Sequence, residues 1–182
     1  EQFKIWFEDI LITDNYDPTA MLLSTVDDKN QPDARVVLLK GVENGEFIFF
    51  TNYESAKAKQ IKQSSKVCLS FFWPFLSRQV RIKGAVTKLA EKESDTYFSK
   101  RPRLSQIAAI ASPQSSTLCS REELEEKMHA LIDKYSQEAI RRPKNWGGYK
   151  VNPSLLEFWQ GRDNRLHDRL CYSLSSKGSW DV

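Results

Sequence analysis

Between Arg35 and Thr51 the sequence leaves the backbone few choices. Arg35-Val36-Val37-Leu38-Leu39-Lys40 and Phe47-Ile48-Phe49-Phe50-Thr51 are runs rich in β-branched and aromatic residues, and Glu43-Asn44-Gly45-Glu46 lies between them. Asn-Gly supplies two neighbours that accept positive φ, which the tight turn of a β-hairpin demands. The same rhythm recurs. Ala20 to Val26 and Asp33 to Lys40 read as strands around a polar turn from Asp27 to Pro32. Val67 to Trp73 and Gln79 to Leu89 read as a further pair around a turn at Pro74. Strands joined by such short connections pair antiparallel.

Helical patterns surround this core. Phe3, Trp6, Phe7, Ile10 and Leu11 fall at i, i+3, i+4, i+7 and i+8, one face of an amphipathic helix that breaks over Asp14 to Pro18. Glu54 to Gln63 reads as a helix. Beyond Leu89 come a helix from Glu91 to Lys100 stopped near Pro102, another from Leu104 to Ala111, and a polar loop from Ser112 to Thr117. Ser120 and Glu123 form a capping-box pattern that opens a helix to about Gln137. Pro143 to Gly148 reads as a loop, and the chain then ends in shorter strands. The expected fold is one domain over residues 1–182, mainly β (α+β), a small antiparallel barrel or roll with peripheral helices.

Several functions are excluded. Neither G-x-G-x-x-G, a P-loop nor a G-x-S-x-G elbow occurs. His129 and His167 are the only histidines, and the three cysteines, 68, 119 and 171, form no CxxC pair, so no metal site is expected. Widely spaced cysteines suit a reducing cytoplasm. No apolar run is long enough to span a membrane, and a net charge of +3 is too small to indicate nucleic acid. The chain starts at Glu1 without Met and stops after Trp180-Asp181-Val182, which reads as two incomplete ends.

What remains is a set of cations placed inside apolar segments. Arg35 and Lys40 point to opposite faces of an extended strand; at strand ends, both could equally snorkel to water. Tyr97, Arg101 and Ser105 are spaced i, i+4, i+8. A helix continuous past Pro102 would put two hydroxyls and a guanidinium on one face, a set suited to a phosphate. The alternative is an ordinary helix face with a proline kink. Arg165, His167 and Arg169, if extended, project together beside the flat wall of Trp159 and would hold an anion. The alternative there is a solvated turn with Asp168 pairing an arginine. Phosphorylated aromatic ligands are the natural inference, and redox chemistry would require a borrowed cofactor.

Many short stretches then become recognisable together. They include Asp17-Pro18-Thr19-Ala20-Met21, Arg35 to Gly41, Phe49-Phe50-Thr51-Asn52, Arg78-Gln79-Val80, Tyr97 to Pro102, Ser105-Gln106-Ile107 and Gln114-Ser115-Ser116. Trp146-Gly147-Gly148, Glu157 to Gly161 and Asn164 to Arg169 complete them. In this order the chain resembles the pyridoxine 5′-phosphate oxidase family along nearly its whole length. The resemblance implies a split β-barrel homodimer with FMN at the subunit interface. It implies oxidation of pyridoxine or pyridoxamine 5′-phosphate by O2 to pyridoxal 5′-phosphate and hydrogen peroxide. It assigns FMN contacts to Arg35, Val36, Val37, Leu38, Phe50, Thr51, Lys57, Gln79, Gln114, Ser115, Trp159 and Arg169. Substrate contacts fall to Lys40, Tyr97, Arg101 and Ser105, with Arg165, Leu166 and His167 beside the reacting end. Asp17 matches a further active-site position. A flavin oxidase of the phenazine-biosynthesis branch, or a non-catalytic flavin or pyridoxal-phosphate module, are the competing readings.

The chain departs from the family pattern at Ser55-Ala56-Lys57, where members commonly carry Ser-Arg-Lys. The family's C-terminal Arg-Leu-x-Pro and a basic N-terminal segment are also absent from this sequence. One expected phosphate cation is thus missing at Ala56. Ala56→Arg is expected to lower the dissociation constant for FMN, measured by flavin fluorescence quenching; an unchanged constant removes Ala56 from the phosphate site.

Overall fold

The computed structural model describes residues 1–12 and 17–182. The described part of the predicted break over Asp14 to Pro18 is Asp17 and Pro18; the remainder lies outside these residues. The elements in chain order are α1 (Gln2–Leu11), β1 (Ala20–Val26), β2 (Pro32–Leu38), β3 (Gly41–Glu43), β4 (Glu46–Asn52), α2 (Ala56–Gln63), β5 (Lys66–Trp73) and β6 (Arg78–Lys88). They continue as α3 (Glu91–Lys100), α4 (Arg103–Ala111), α5 (Arg121–Lys134), β7 (Trp146–Gln160), β8 (Asp168–Leu174) and β9 (Trp180–Asp181). All nine strands join one curled antiparallel sheet, in the order β2-β1-β5-β6-β7-β4-β3 with β8 and β9 beyond. The expected antiparallel split barrel with outlying helices is the observed architecture.

The Asn44-Gly45 turn forms as its residues dictate, with φ of 51° and 82°. It joins β3 to β4, so the run from Arg35 to Lys40 lies outside this hairpin. That run ends as a strand at Leu38, and Gly41–Glu43 makes a separate short strand.

The C-terminal region differs most from expectation. Pro143 to Gly148 is a loop only as far as Asn145, and β7 then runs for 15 residues. It pairs β6 along one edge. Its other edge pairs β4 from Trp146 to Val151 and β8 from Leu155 to Gln160. No alternating pattern marks so long a strand, because it is buried on both sides at its start and faces solvent on one side later. Predicted α5 is shorter at its C-terminus, ending at Lys134. Its start is as expected, with Ser120 Oγ accepting from the Glu123 N–H at 3.2 Å.

Alternation divides the sheet into two faces. Met21, Leu23, Leu69, Phe71, Val80, Ile82, Val151 and Phe158 point inward and pack against Phe3 and Ile10 of α1. Phe3 meets Phe47 and Phe71 edge-on, which fixes the helix across the open end of the curl. A second core joins α3, α4 and α5 to the start of β7 through Phe98, Ile107, Ile140 and Trp146. The outward face keeps Leu22, Val36, Leu38 and Phe72 exposed.

The Gly147-Gly148 pair has a steric cause. A Cβ on Gly147 would collide with the Tyr53 hydroxyl, and one on Gly148 with Leu89 and the Phe50 ring. Gly148→Ala is expected to cost about 1–3 kcal/mol by forcing these rings aside. Urea denaturation with an unchanged midpoint would show that the ring of Phe50 is not held by this close approach.

Candidate functional site

β4 carries the centre of the site because adjacent residues of a strand face opposite ways. Thr51 faces α2 and the loop after α4; Phe50 faces α3 and Trp146.

On the Thr51 side a cation is buried. Lys57 is 7% exposed, and its Nζ lies 3.3 Å from Thr51 Oγ1, 3.4 Å from Ser55 Oγ and 3.1 Å from Gln114 Oε1. Gln114 Oε1 also accepts from the Thr51 hydroxyl at 2.8 Å, which ties the loop after α4 to β4. Every contact is a neutral acceptor. Among the described residues no carboxylate pairs with Lys57. Burial pushes its pKa down and Arg35 pushes further, with Asp33 acting against them. A buried ammonium without a counter-ion is costly, and it is the arrangement an incoming anion relieves. Ser115, next to Gln114, is exposed in the left-handed region at φ 67°.

Arg35 stands at the rim of this cluster. It does not snorkel freely. Its guanidinium pairs with Asp33 and donates to Leu23 O at 3.2 Å and Gln60 Oε1 at 3.1 Å. The Gln60 amide, through its hydrogen bond, and then the charge of Arg35 hold the Asp33 carboxyl below its ordinary range. β2 is an edge strand, so alternate backbone groups between Arg35 and Leu38 are free for a ligand. The side chains of Val36 and Leu38 face outward and Val37 packs inward.

On the Phe50 side lies an aromatic ladder. Tyr97 stacks on Phe50 at 3.8 Å between centroids and Trp146 follows at 5.4 Å, each within 12° of parallel. The Arg101 guanidinium sits 4.5 Å from the Trp146 ring centroid. Its Nη1 is buried with no hydrogen-bond partner. Burial pushes Arg101 down from its usual pKa, against the Tyr97 hydroxyl, but a guanidinium stays charged. The predicted continuous helix is not there. α3 ends at Lys100, Arg101 is extended at φ −69° and ψ 149°, and α4 starts after Pro102. The residue before a proline avoids the helical region, and this sets the bend. Tyr97 and Arg101 converge through Trp146 rather than along one helix face, and Ser105 lies in the first turn of α4. A hollow of about 350 Å³ is lined by Lys40, Phe50, Tyr97 and Lys100 together with Glu43 and Glu93; Arg101 and Ser105 are not in its lining. A larger hollow of about 1010 Å³ under α1 is mostly apolar and has only Lys40 in common with the predicted residues.

The third constellation lies at the far end of β7. Gln79, Trp159 and Arg169 form one row across β6, β7 and β8. The Glu157 carboxylate is bidentate to Arg81 and 3.7 Å from Arg169 Nε. The extended run from Arg165 to Arg169 is not observed. Asp163–Arg165 forms a 3-10 turn with φ of 56° at Asn164 and 62° at Arg165, and β8 begins only at Asp168. A tight turn removes the alternation that would align the three side chains. Arg165 and Leu166 are exposed. His167 packs 4.7 Å from Trp159 and its Nδ1 accepts from the Arg162 N–H at 3.0 Å. Nε2 is therefore its free ring nitrogen. Asp168 pairs with Arg162, at 2.7 Å. Asp17 accepts from both the N–H and the hydroxyl of Thr19. His129 is exposed on α5, away from these groups.

Sequence reasoning gave no role to Trp146, Gln60, Glu157 or Gln106. Trp146 stood in a recognisable triplet, but nothing in its spacing pointed to Arg101, 45 positions earlier.

Trp146 and Trp159 stand at opposite ends of β7, separated by about 40 Å of strand at roughly 3.3 Å per residue. Lys57→Met is expected to raise the melting temperature of the ligand-free protein. The gain should shrink as pH rises into the ordinary lysine range, where Lys57 is neutral folded and unfolded alike. A variant less stable than the parent at neutral pH would show that the ammonium is well compensated.

Residues 13–135 match the family model described as pyridoxamine 5′-phosphate oxidase. Residues 146–182 match that of the pyridoxine 5′-phosphate oxidase C-terminal dimerisation region. A pyridoxine/pyridoxamine 5′-phosphate oxidase of Legionella pneumophila is 57% identical over 171 residues, covering 94% of this chain and 80% of the relative. One from Cytophaga hutchinsonii is 48% identical, covering all of this chain and 85% of the relative. Among solved structures, PhzG of Burkholderia lata with tetrahydrophenazine-1-carboxylic acid aligns with TM-score 0.93 at 26% identity, covering 99% and 88% of the two chains. A pyridoxamine 5′-phosphate oxidase-related, FMN-binding protein of Nostoc punctiforme shares the fold, with TM-score 0.78 at 16% identity over 99% and 92%. No helix among the described residues is long and apolar enough to cross a membrane. By its matches over both segments and its identity to these relatives, the chain belongs to the pyridoxine/pyridoxamine 5′-phosphate oxidase family.

Proposed function

We propose that this protein, acting as a single domain over residues 1–182 and as a homodimer, oxidises pyridoxine or pyridoxamine 5′-phosphate to pyridoxal 5′-phosphate with FMN. The observation that carries this reading is a pair of cations on opposite sides of β4, Lys57 buried and Arg101 half-buried with its Nη1 covered. Lys57 beside Thr51 and Arg101 beside Phe50 and Trp146 both lack an anionic partner among the described residues. Two such sites suit two phosphorylated molecules, one a cofactor and one a substrate.

In this reading Lys57, Thr51, Gln114, Ser115 and Arg35 hold the FMN phosphate, aided by the free backbone edge from Val36 to Leu38. Phe50 forms a wall between the cofactor and substrate sides. When bound, FMN supplies the two-electron acceptor that no side chain provides, with O2 as terminal oxidant and hydrogen peroxide as its product. With the alcohol, one O2 yields one pyridoxal 5′-phosphate and one peroxide. With the amine, one water is also consumed and ammonia released. Arg101, Tyr97, Ser105 and Lys40 bind the substrate, the Arg101 guanidinium donating to the phosphate. Arg165 and His167, with Leu166 between them, bound the reacting end. His167 can donate from Nε2 to the substrate's C4′ oxygen or nitrogen, because Nδ1 is occupied. Asp17 is a further active-site candidate; its carboxylate is engaged with Thr19.

The homodimer accords with the match of residues 146–182 to the family's C-terminal dimerisation region. In this reading Trp159, Arg169, Arg165 and His167 of one protomer, with Gln79 beside Trp159 on β6, complete the site of the other. The exposed Leu22, Val36, Leu38 and Phe72 offer an apolar face for it. Three free cysteines accord with a cytoplasmic location.

The likeness to PhzG favours one rival, a flavin oxidase acting on phenazine precursors. The phosphate cations around Tyr97 and Arg101 speak for the phosphate ester. The test is direct: purify the protein, record a flavin spectrum, and add pyridoxine 5′-phosphate in air. Bound flavin with neither peroxide nor pyridoxal 5′-phosphate formed would defeat the reading. Arg101→Ala should raise KM for the phosphate ester about 10- to 100-fold, the equivalent of one charge-assisted hydrogen bond of about 1.5–3 kcal/mol. An unaltered KM would take Arg101 out of the site.

A further inference from the structure

The bend between α3 and α4 has one side-chain fastening. Pro102 lacks an N–H, and the extended Arg101 breaks the helical ladder, so the last carbonyls of α3 lose their usual donors. Gln106, one turn into α4 and only 8% exposed, supplies the replacement. Its Nε2 lies 3.1 Å from Phe98 O, 3.2 Å from Ser99 O and 2.9 Å from Arg101 O. No other side chain bonds these three carbonyls among the described residues. The last of them belongs to Arg101 itself. The backbone of Arg101 is thereby fixed at the point from which its side chain leaves for Trp146. Among the described residues that side chain has no hydrogen bond at Nη1 to hold it there; its guanidinium lies against the Trp146 and Phe98 rings.

We propose that Gln106 is a positioning residue for phosphate-ester recognition, acting by fastening the bend that holds Arg101 over Trp146. The inference rests on the proposed role of Arg101 at the substrate phosphate. An unfastened bend lets α3 and α4 rotate about Arg101–Pro102, and the guanidinium then spends part of its time away from the Trp146 face. The phosphate is bound alike in ground and transition states, so the loss falls on binding rather than turnover.

The test uses Gln106→Met and Gln106→Glu, which keep the length of the side chain and remove its N–H donors, in the FMN-saturated enzyme. KM for pyridoxine 5′-phosphate should rise about tenfold while kcat stays within about twofold and the FMN dissociation constant is unchanged. By calorimetry, the preference for pyridoxal 5′-phosphate over pyridoxal should fall by a similar factor. Gln106→His, which retains an N–H donor, should recover part of both. An unchanged KM and preference would overturn the proposal. So would a joint decline of kcat, KM and FMN affinity, the mark of general loosening. If Met and Glu variants do not fold, Gln106→Asn, which withdraws the amide by one methylene, is read against the same outcomes. A parent protein with no preference for the phosphorylated compound defeats the role of Arg101 itself. A parent with that preference, retained by the variants, defeats only the role of Gln106.

Discussion

The pairing of β7 organises everything else. One strand of 15 residues uses one edge for β6 and divides the other between β4 and β8. Its first half anchors Trp146 in the helical core, and its second half carries Phe158 into the sheet core and Trp159 out of it. Hydrogen bonding along such a ladder is cooperative with side-chain packing on both faces. The strand therefore places Trp146, beside Arg101, and Trp159, beside His167, at its opposite ends.

Two tensions are built into the fold. Lys57 and Arg101 are held in places where burial opposes their charge. Each is surrounded by groups that orient without neutralising: hydroxyls and an amide for Lys57, aromatic faces for Arg101. A carboxylate at either place would make the free protein more comfortable and would compete with a phosphate. The contrast with Glu157 is instructive. There a carboxylate is nearly buried, and burial alone would raise its pKa. Hydrogen bonds and charge from Arg81, then the charge of Arg169, outweigh burial and hold it low. That cluster is compensated, and its stabilisation is present at neutral pH and lost as pH falls through the carboxylate range.

The glycine pair after Trp146 links packing to the site. With no side chain at 147 or 148, Tyr53 and Phe50 approach the start of β7 closely, and Tyr53 donates to Gly148 O at 3.1 Å. Phe50 then stacks with Tyr97 at 3.8 Å and lies 5.4 Å from Trp146, these two rings being 6.3 Å from each other. The flat wall of the candidate site is thus a consequence of two missing Cβ atoms.

Much of this was legible in the residues. The Asn44-Gly45 turn, the strands around it, α1 with its apolar stripe and the Ser120 cap follow from local rules, because turn dihedrals, periodicity and capping depend on neighbours in the chain. The spacing of Tyr97, Arg101 and Ser105 and the cluster from Arg165 to Arg169 drew attention to two cationic groups, each with a plain structural alternative, and the family resemblance assigned the ligands. Tertiary structure decided the rest. It broke the helix at Arg101, turned Asn164 and Arg165 to positive φ, drew Trp146 beneath Arg101 and set Gln114 against Lys57. Those contacts join residues 45 and 57 positions apart, and no local pattern encodes them. Burial decides whether a cation is solvated or left wanting an anion, and burial belongs to the packed chain rather than to any segment of it.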